Sequence, residues 1–385
     1  GTLSDHFAIH CSCVSTRPVW RRAAACAIPW IKPGACRSYS SRELLPGTSS
    51  LAAPRFRADT GPCADTGGST EVAADSWIRF AGATTSMTAG TGNTNTPSPG
   101  QVPSVPCWRC RDRRLLLGRP LVMGILNVTP DSFSDSGRYL DPSAAVARAW
   151  EIAGEGADIL DIGAESTRPG SGGVDAGEEL ERLLPVLEGL GGRYPIPISV
   201  DTSKAPVARA ALQRGAVIIN DVSSFRNDPF MGAVAAEFGA AVVMMHMRGT
   251  PKNMQQLPPS GDILREIEGW AQEAVARARS AGVSSDRIIL DPGIGFGKTA
   301  AQNFEILRSL DRLSASGFPI LVGTSRKSFI GSILNKPAGE LVLGTGASVA
   351  AAIVLGAHIV RVHDVAAMRE AALVADAIAG GGVRP

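Results

Sequence analysis

The stretch DILDIG at 158–163, followed by PISVD at 197–201 and VIINDV at 217–222, decides how this chain folds. Each is a short run of Ile, Leu and Val that contains or ends at a polar group: Asp161, Asp201, and Asn220 with Asp221. Runs this uniformly apolar do not suit a strand with one wet face and read as strands buried on both faces. The pattern recurs outward in both directions, as LVMGILN ending at Asn127, AVVMMH at His246, IILDP at Asp291, ILVGTSRK at Arg326 and Lys327, and IVRVHD at Arg361, His363 and Asp364. Between the runs lie segments with helical patterning, among them SAAVARAWEIAGEG (143–156), EELERLLPVLEGL (178–190), DILREIEGWAQEAVARARSAG (262–282) and DVAAMREAALVADAIAG (364–380). Strand–helix units repeated eight times over about 250 residues have the rhythm of a closed (β/α)8 TIM barrel, an α/β fold. The carboxyl ends of the strands then converge on one mouth, where so many buried polar groups are costly unless they are paired.

The 385 residues suffice for a large domain plus an extension, and 44% hydrophobic residues supply an ordinary core. A formal net charge of +2 gives no basis for electrostatic capture of nucleic acid or of an acidic membrane. No run reaches the roughly 18 uninterrupted apolar residues of a membrane span, so the compartment expected is aqueous and cytoplasmic. All seven cysteines, Cys11, Cys13, Cys26, Cys36, Cys63, Cys107 and Cys110, precede the first barrel strand. A disulfide framework for the barrel is thereby excluded, as suits a reducing cytosol.

Texture changes at the same place. Residues 1–114 show no helix or strand periodicity, and TTSMTAGTGNTNTPSPGQVPSVP at 84–106 is linker-like. The expected division is a low-complexity extension, disordered or non-native, over 1–114 and a barrel domain over 115–385. Arg17, Arg21, Arg22, Arg37, Arg42, Arg55 and Arg57 would suit a targeting peptide, although the chain does not begin with Met. A zinc module from Cys11-x-Cys13 and Cys107-x-x-Cys110 is weaker, because the pairs stand far apart and no histidine sits at finger spacing. An upstream extension is the preferred reading, with a native start near Met87, the first methionine in the chain.

The first strand runs into NVTPDSFSD (127–135), a loop dense in hydroxyls and carboxylates with one aromatic, Phe133. A plain turn set by Pro130 and capped by Asp131 or Ser132 would be shorter. The second strand enters ESTRPG (165–170) followed by SGG, again long for a βα connection. Two such loops beside one mouth suggest lids that order around a substrate. Asp201, Asn220 and Asp291 each stand at a strand end. Singly each would serve as well to cap the next helix, but together in an apolar mouth they suit a flat heterocycle presenting ring N–H and amino donors. Met245 and Phe296 would supply apolar walls, though Met245 alone reads more readily as core. The glycines of DPGIGFGK (291–298) lack Walker spacing and are weak evidence for a nucleotide. SRKS (325–328) and Arg361-x-His363 follow strands seven and eight, where barrels commonly build phosphate sites. With period two, Arg361 and His363 point the same way and make an anion clamp.

Taken in order, NVTPDSFSD, ESTRPG, SVDTSK, INDVS, MHMRGTP, LDPGIGFGK, SRKSFIG and RVHDV resemble the dihydropteroate synthase family. The resemblance covers about residues 115–380 and omits the extension. It implies a transferase of folate biosynthesis that condenses 6-hydroxymethyl-7,8-dihydropterin pyrophosphate with 4-aminobenzoate, giving 7,8-dihydropteroate and pyrophosphate with Mg2+ assistance. It also implies a homodimer and a target of sulfonamides, which mimic aminobenzoate. Carried over by position, Asn127 ligates Mg2+ or the pyrophosphate, and Arg361 and His363 hold the β-phosphate. Asp201, Asn220, Asp291 and Lys327 bind the pterin, with Met245 beside it. Thr167, Arg168 and Pro169, with Phe133, Phe296, Lys327 and Ser328, form the aminobenzoate site, and Asp135 helps close the first loop. Two departures are slight: SDSG stands where SDGG is frequent, and Gln302 precedes Asn303 where His-Asn is common.

The residue types agree with that chemistry. Asp201 and Asp291 suit a delocalised cation left when pyrophosphate departs, and a cationic clamp with Mg2+ suits the leaving group. Attack by a weakly basic arylamine needs positioning more than a base, so Arg168, Asp135 and Lys327 join the catalytic set. One competing reading is a methyltetrahydrofolate-dependent methyltransferase barrel, which has no use for the Arg361/His363 clamp or the long first loop. The other is a non-catalytic pterin-binding paralogue, which would carry lesions in loops or clamp. Fold alone does not choose among them.

Overall fold

Alternating burial along each strand, rather than the strand count, decides what the barrel can do. The computed structural model describes residues 106–129, 141–166 and 172–380, and residues 1–105 of the extension expected over 1–114 lie outside them. Eight parallel strands form the sheet: β3 (Leu121–Asn127), β4 (Ile159–Gly163), β5 (Ile198–Asp201), β6 (Ile218–Asp221), β7 (Ala241–Met245), β8 (Ile288–Asp291), β9 (Leu321–Val322) and β10 (Ile359–Val362). Their order is β8-β7-β6-β5-β4-β3-β10-β9, and a single parallel bridge, Leu290↔Ile320, closes the ring. All eight runs expected as strands are strands. Helices follow them: α1 (Pro142–Gly154), α2 (Ala176–Leu190), α3 (Ala205–Gln213), α4 (Met231–Phe238), α5 (Ile263–Ser280), α6 (Ala300–Arg308), α7 (Leu310–Ser314), α8 (Ser328–Leu334), α9 (Val342–Val354) and α10 (Val365–Ile378). Asp141, Asp175 and Asp262 cap α1, α2 and α5 by accepting backbone N–H bonds, and Thr299 with Gln302 makes a capping box on α6.

Odd and even residues of a strand face opposite sides. Val122, Leu126, Leu160, Ile162, Val200, Ile219, Val242 and Val360 pack outward against the helices. Leu121, Met123, Ile159, Ile218, Val243, Ile289, Leu321 and Ile359 fill the amino-terminal half of the lumen. Continuing the inward columns toward the carboxyl ends gives Asn127, Asp161, Asp201, Asn220, Met245, Asp291, Arg361 and His363. Register puts Asn127, Gly163, Asp201 and Asn220 on one tier around the ring.

The amino-terminal end is closed by an element the sequence reading missed. β1 (Cys107–Cys110) and β2 (Arg113–Leu116) form an antiparallel hairpin. Trp108 and Cys110 are fully buried with the lumen residues, and the Trp108 indole donates to Arg287 O at 2.9 Å. The boundary expected at 114/115 therefore cuts through a structural element, and the barrel unit takes in residues from 107 onward. Arginines at 109, 111, 113 and 114 hid a two-residue alternation in which only Trp108 and Cys110 turn inward.

Candidate active site

Arg361 is the centre of the carboxyl-terminal mouth. Its Nε donates to Asp161 Oδ2 at 2.7 Å and its Nη2 to Asp201 Oδ2 at 2.7 Å, while Asn220 Nδ2 donates to the same Asp161 oxygen at 3.0 Å. One guanidinium thus ties strands β4, β5 and β10 together, with Asn220 of β6 attached. Asp161 is wholly buried and its Oδ1 has no hydrogen-bond partner among the described residues, an open acceptor inside the lumen. Burial pushes the Asp201 carboxyl up to about 7, against the pull of Arg361. The nearby carboxylates Asp161, Glu179 and Asp221 add to the rise.

Opposite this cluster stand Asp291, Phe296 and Lys327. Burial raises the Asp291 pKa and the Lys327 charge lowers it; burial brings Lys327 down to about 8, opposed by Asp291. The Lys327 ammonium donates to Ile294 O and lies 4.7 Å from the centre of the Phe296 ring. Met245 and Phe296 share a small apolar cluster with Val222, Met247 and Met254. Ser328 opens α8 beside Lys327 and is exposed. His363 is held by Ser325: its backbone N–H donates to Ser325 Oγ at 3.2 Å and its Nδ1 lies 3.0 Å from that oxygen. Asn127 stands at the end of β3, partly exposed.

The mouth therefore brings together Asn127, Asp201, Asn220, Met245, Asp291, Phe296, Lys327, Ser328, Arg361 and His363. Phe133, Asp135, Thr167, Arg168 and Pro169 lie outside the described residues. A cavity of about 230 Å³ opens here, with Glu165, Ser166, Asp201, Thr202, Val222 and Thr250 among its walls. The root of the second loop is pinned by Lys204, which donates to Glu165 Oε2 at 2.6 Å and to the buried Glu179 Oε2 at 2.7 Å. Glu165 Oε1 in turn accepts from Val174 N at 3.2 Å on the loop's far side.

Three residues play parts the sequence reading did not assign. In the sequence Asp161 is only the polar residue of a strand, yet it is a principal partner of Arg361. The alternation of β4, with Leu160 and Ile162 outward, carried the signal. Asp221, beside Asn220, faces outward and accepts from Ser223 N at 2.7 Å and Phe225 N at 2.8 Å, so it shapes a turn. Lys298 ends the glycine-rich run as a structural pin, donating to Gly293 O at 2.8 Å, Phe296 O at 3.1 Å and His246 O at 3.2 Å. Gly293 sits at φ +65°, and a side chain there would drive its Cβ to 1.9 Å from His246 O. The glycines let the backbone wrap one ammonium.

Among known proteins, the pattern of the pterin binding enzyme family matches residues 123–363. Over 261 residues the chain is 51% identical to a dihydropteroate synthase of Synechocystis sp., spanning 68% of this chain and 90% of that one. It is 45% identical to the dihydropteroate synthase of Escherichia coli (strain K12), spanning 68% and 92%. The solved dihydropteroate synthase of Yersinia pestis with a sulfonamide drug complex superposes with a TM-score of 0.68 at 43% identity, over 71% of this chain and 99% of that one. That of Xanthomonas albilineans with 4-aminobenzoic acid gives 0.68 and 43%, over 73% and 100%. The chain belongs to the pterin binding enzyme family and, within it, to the dihydropteroate synthases.

Proposed function

We propose that the carboxyl-terminal mouth condenses 6-hydroxymethyl-7,8-dihydropterin pyrophosphate with 4-aminobenzoate to give 7,8-dihydropteroate and pyrophosphate. The observation that carries the assignment of roles is the Arg361 bridge between Asp161 and Asp201 in a lumen that also holds Asn220, Asp291 and Lys327. A pterin presents several N–H donors in one plane, and Asp201, Asp291 and the Asn220 amide offer acceptors from three strands. Arg361 spends Nε and Nη2 on carboxylates, and its Nη1 makes no hydrogen bond among the described residues. That nitrogen, with His363 oriented by Ser325, suits the β-phosphate.

Asn127 offers one neutral oxygen at the mouth, and no group of three or more His, Cys, Asp or Glu side chains is gathered for a metal ion among the described residues. A single amide oxygen would suit a magnesium ion that needs few protein ligands, and Asn127 is the residue that would hold it. When bound, Mg2+ neutralises charge on the leaving group. The C–O bond to pyrophosphate breaks, and the carboxylates of Asp201 and Asp291 stabilise the cation left on the pterin methylene. The arylamine lone pair then forms the C–N bond and its proton is lost. Phe296, Lys327 and Ser328, with Phe133, Asp135, Thr167, Arg168 and Pro169 of the two loops, position the amine for attack. Sulfonamides would occupy the same subsite.

Cytoplasmic residence accords with the absence, among the described residues, of a helix long and apolar enough to cross a membrane. Homodimerisation accords with Leu343 on α9 and Leu373, Val374 and Ile378 on α10, exposed at 87%, 53%, 62% and 71%. The test of the activity is pyrophosphate release by the full chain with pterin pyrophosphate and Mg2+, with and without 4-aminobenzoate. Release coupled to dihydropteroate supports the assignment; pterin binding without turnover would favour a non-catalytic paralogue.

A further inference from the structure

The amino-terminal face, opposite the mouth, carries a second concave site. A cavity of about 560 Å³ lies between the β1–β2 turn and the starts of β5 and β6, where Ile198 and Val217 line it. That volume falls within the usual range of small-molecule sites. Its charged lining is four arginines, Arg111, Arg113, Arg214 and Arg287, against one carboxylate, Asp112. Arg214 pairs with Glu188 at 3.0 Å. Arg111, Arg113 and Arg287 form no ion pair among the described residues.

Two of these guanidiniums are fixed in place. Arg111 Nη1 donates to Leu212 O at 2.8 Å and Ala216 O at 3.3 Å, and Arg287 Nη1 donates to Gly239 O. Carbonyls hold the groups without cancelling their charge, so several N–H donors stay available. The Arg111 backbone sits at φ +56°, in the left-handed region a non-glycine residue seldom occupies, with its N–H bonded to Gly239 O at 3.0 Å. A solvated rim of arginines needs neither a concave floor nor a strained anchor. The field of Arg287 and Arg113 also reaches inward, where it opposes the upward push that burial gives the Cys110 thiol.

We infer that this cavity binds a small polyanion carrying two or more adjacent phosphoryl or carboxylate groups, held by Arg111, Arg113 and Arg287 at the amino-terminal face. Fork-shaped donors match both kinds of group.

The test is calorimetric titration of the full chain at low salt with inorganic tripolyphosphate and, separately, with citrate. The wild type, Arg113→Glu and Arg361→Ala are compared. Arg113 is exposed on the hairpin, so its reversal leaves the fold intact, and Arg214→Glu provides a second variant on the opposite wall. The expected result is a class of binding, for either anion, that survives Arg361→Ala and weakens about tenfold or more in Arg113→Glu and Arg214→Glu. Turnover at the mouth stays unchanged in both of these variants. Binding of both anions that vanishes in Arg361→Ala protein still folded by circular dichroism, or is indifferent to both charge reversals, would overturn the assignment.

Discussion

At the amino ends of its strands the lumen holds Met123, Ile159, Ile218, Val243 and Ile289 beneath the indole of Trp108; a few residues further along, the inward columns of the ring hold Asp161, Asp201, Asn220, Asp291 and Arg361. Neighbouring strands place both sets by the same two-residue alternation, so the contrast owes nothing to local secondary structure. The apolar end gains from burial alone. The polar end keeps its charges out of water only by pairing them, and most of that pairing runs through a single guanidinium. One end therefore makes the molecule stable and the other makes it reactive, in keeping with the division found across (β/α)8 enzymes.

The sharpest way to break that division is Arg361→Ala. On the role proposed for Arg361 it removes a donor from the leaving group, and turnover is expected to fall by about 10²–10³-fold. It also leaves two buried carboxylates without their cation, which costs about 3–5 kcal/mol. Steady-state kinetics and denaturant unfolding should both respond; an unchanged kcat would mean the cluster is only a strut. Trp108→Ala attacks the other end. Emptying a fully buried indole site costs about 3–5 kcal/mol of stability, while kcat measured well below the melting transition stays near that of the wild type. Matched losses of kcat and stability in this variant would erase the distinction between the two ends.

Lys298→Met tests an intermediate case, a structural pin inside the reactive end. Three carbonyls lose their shared donor, and a cost of about 1–3 kcal/mol follows. Because the freed loop carries Phe296, KM for 4-aminobenzoate should rise more than kcat falls. The smallest effect concerns pH. With the Asp201 carboxyl pushed up to about 7 by burial, kcat/KM should rise through about pH 7 and level off above it, and Asp201→Asn should flatten that limb. The stability contribution of the same group runs the opposite way. Between the ordinary value of 3.8 and about 7 the folded state binds more protons than the unfolded one, so the contribution is full below 3.8 and is lost as pH rises through 7. Opposed slopes in activity and in unfolding free energy over one pH window would be the signature.

The ring of strands was legible because parallel strands covered on both faces leave continuous apolar runs that few other structures produce. The mouth was legible at its corners, since Asn127, Asp201, Asp291 and Arg361 each end or nearly end a run. Asp161 was not, because a carboxylate two residues before the end of a strand looks like a blemish until alternation turns it inward. The hairpin was hidden for a different reason. Four-residue strands with arginine on the wet face carry too little pattern to stand out from a Pro- and Thr-rich approach. Lys298 has no signal in the sequence: its glycine-rich run lacks Walker spacing, and what those glycines allow is close approach to the His246 and Arg248 backbone.

The ring is closed by one bridge, Leu290↔Ile320, beside a two-residue β9, whereas every other junction is a ladder of two or more pairs. That seam is where breathing of the barrel should begin, and it separates Asp291 from Lys327. A ligand gripping both side chains would act as a clasp across the gap. Amide hydrogen exchange at Leu290, whose N–H donates across the seam to Pro319 O at 3.0 Å, should accordingly be fast for the strands of this ring and slow markedly once a pterin is seated.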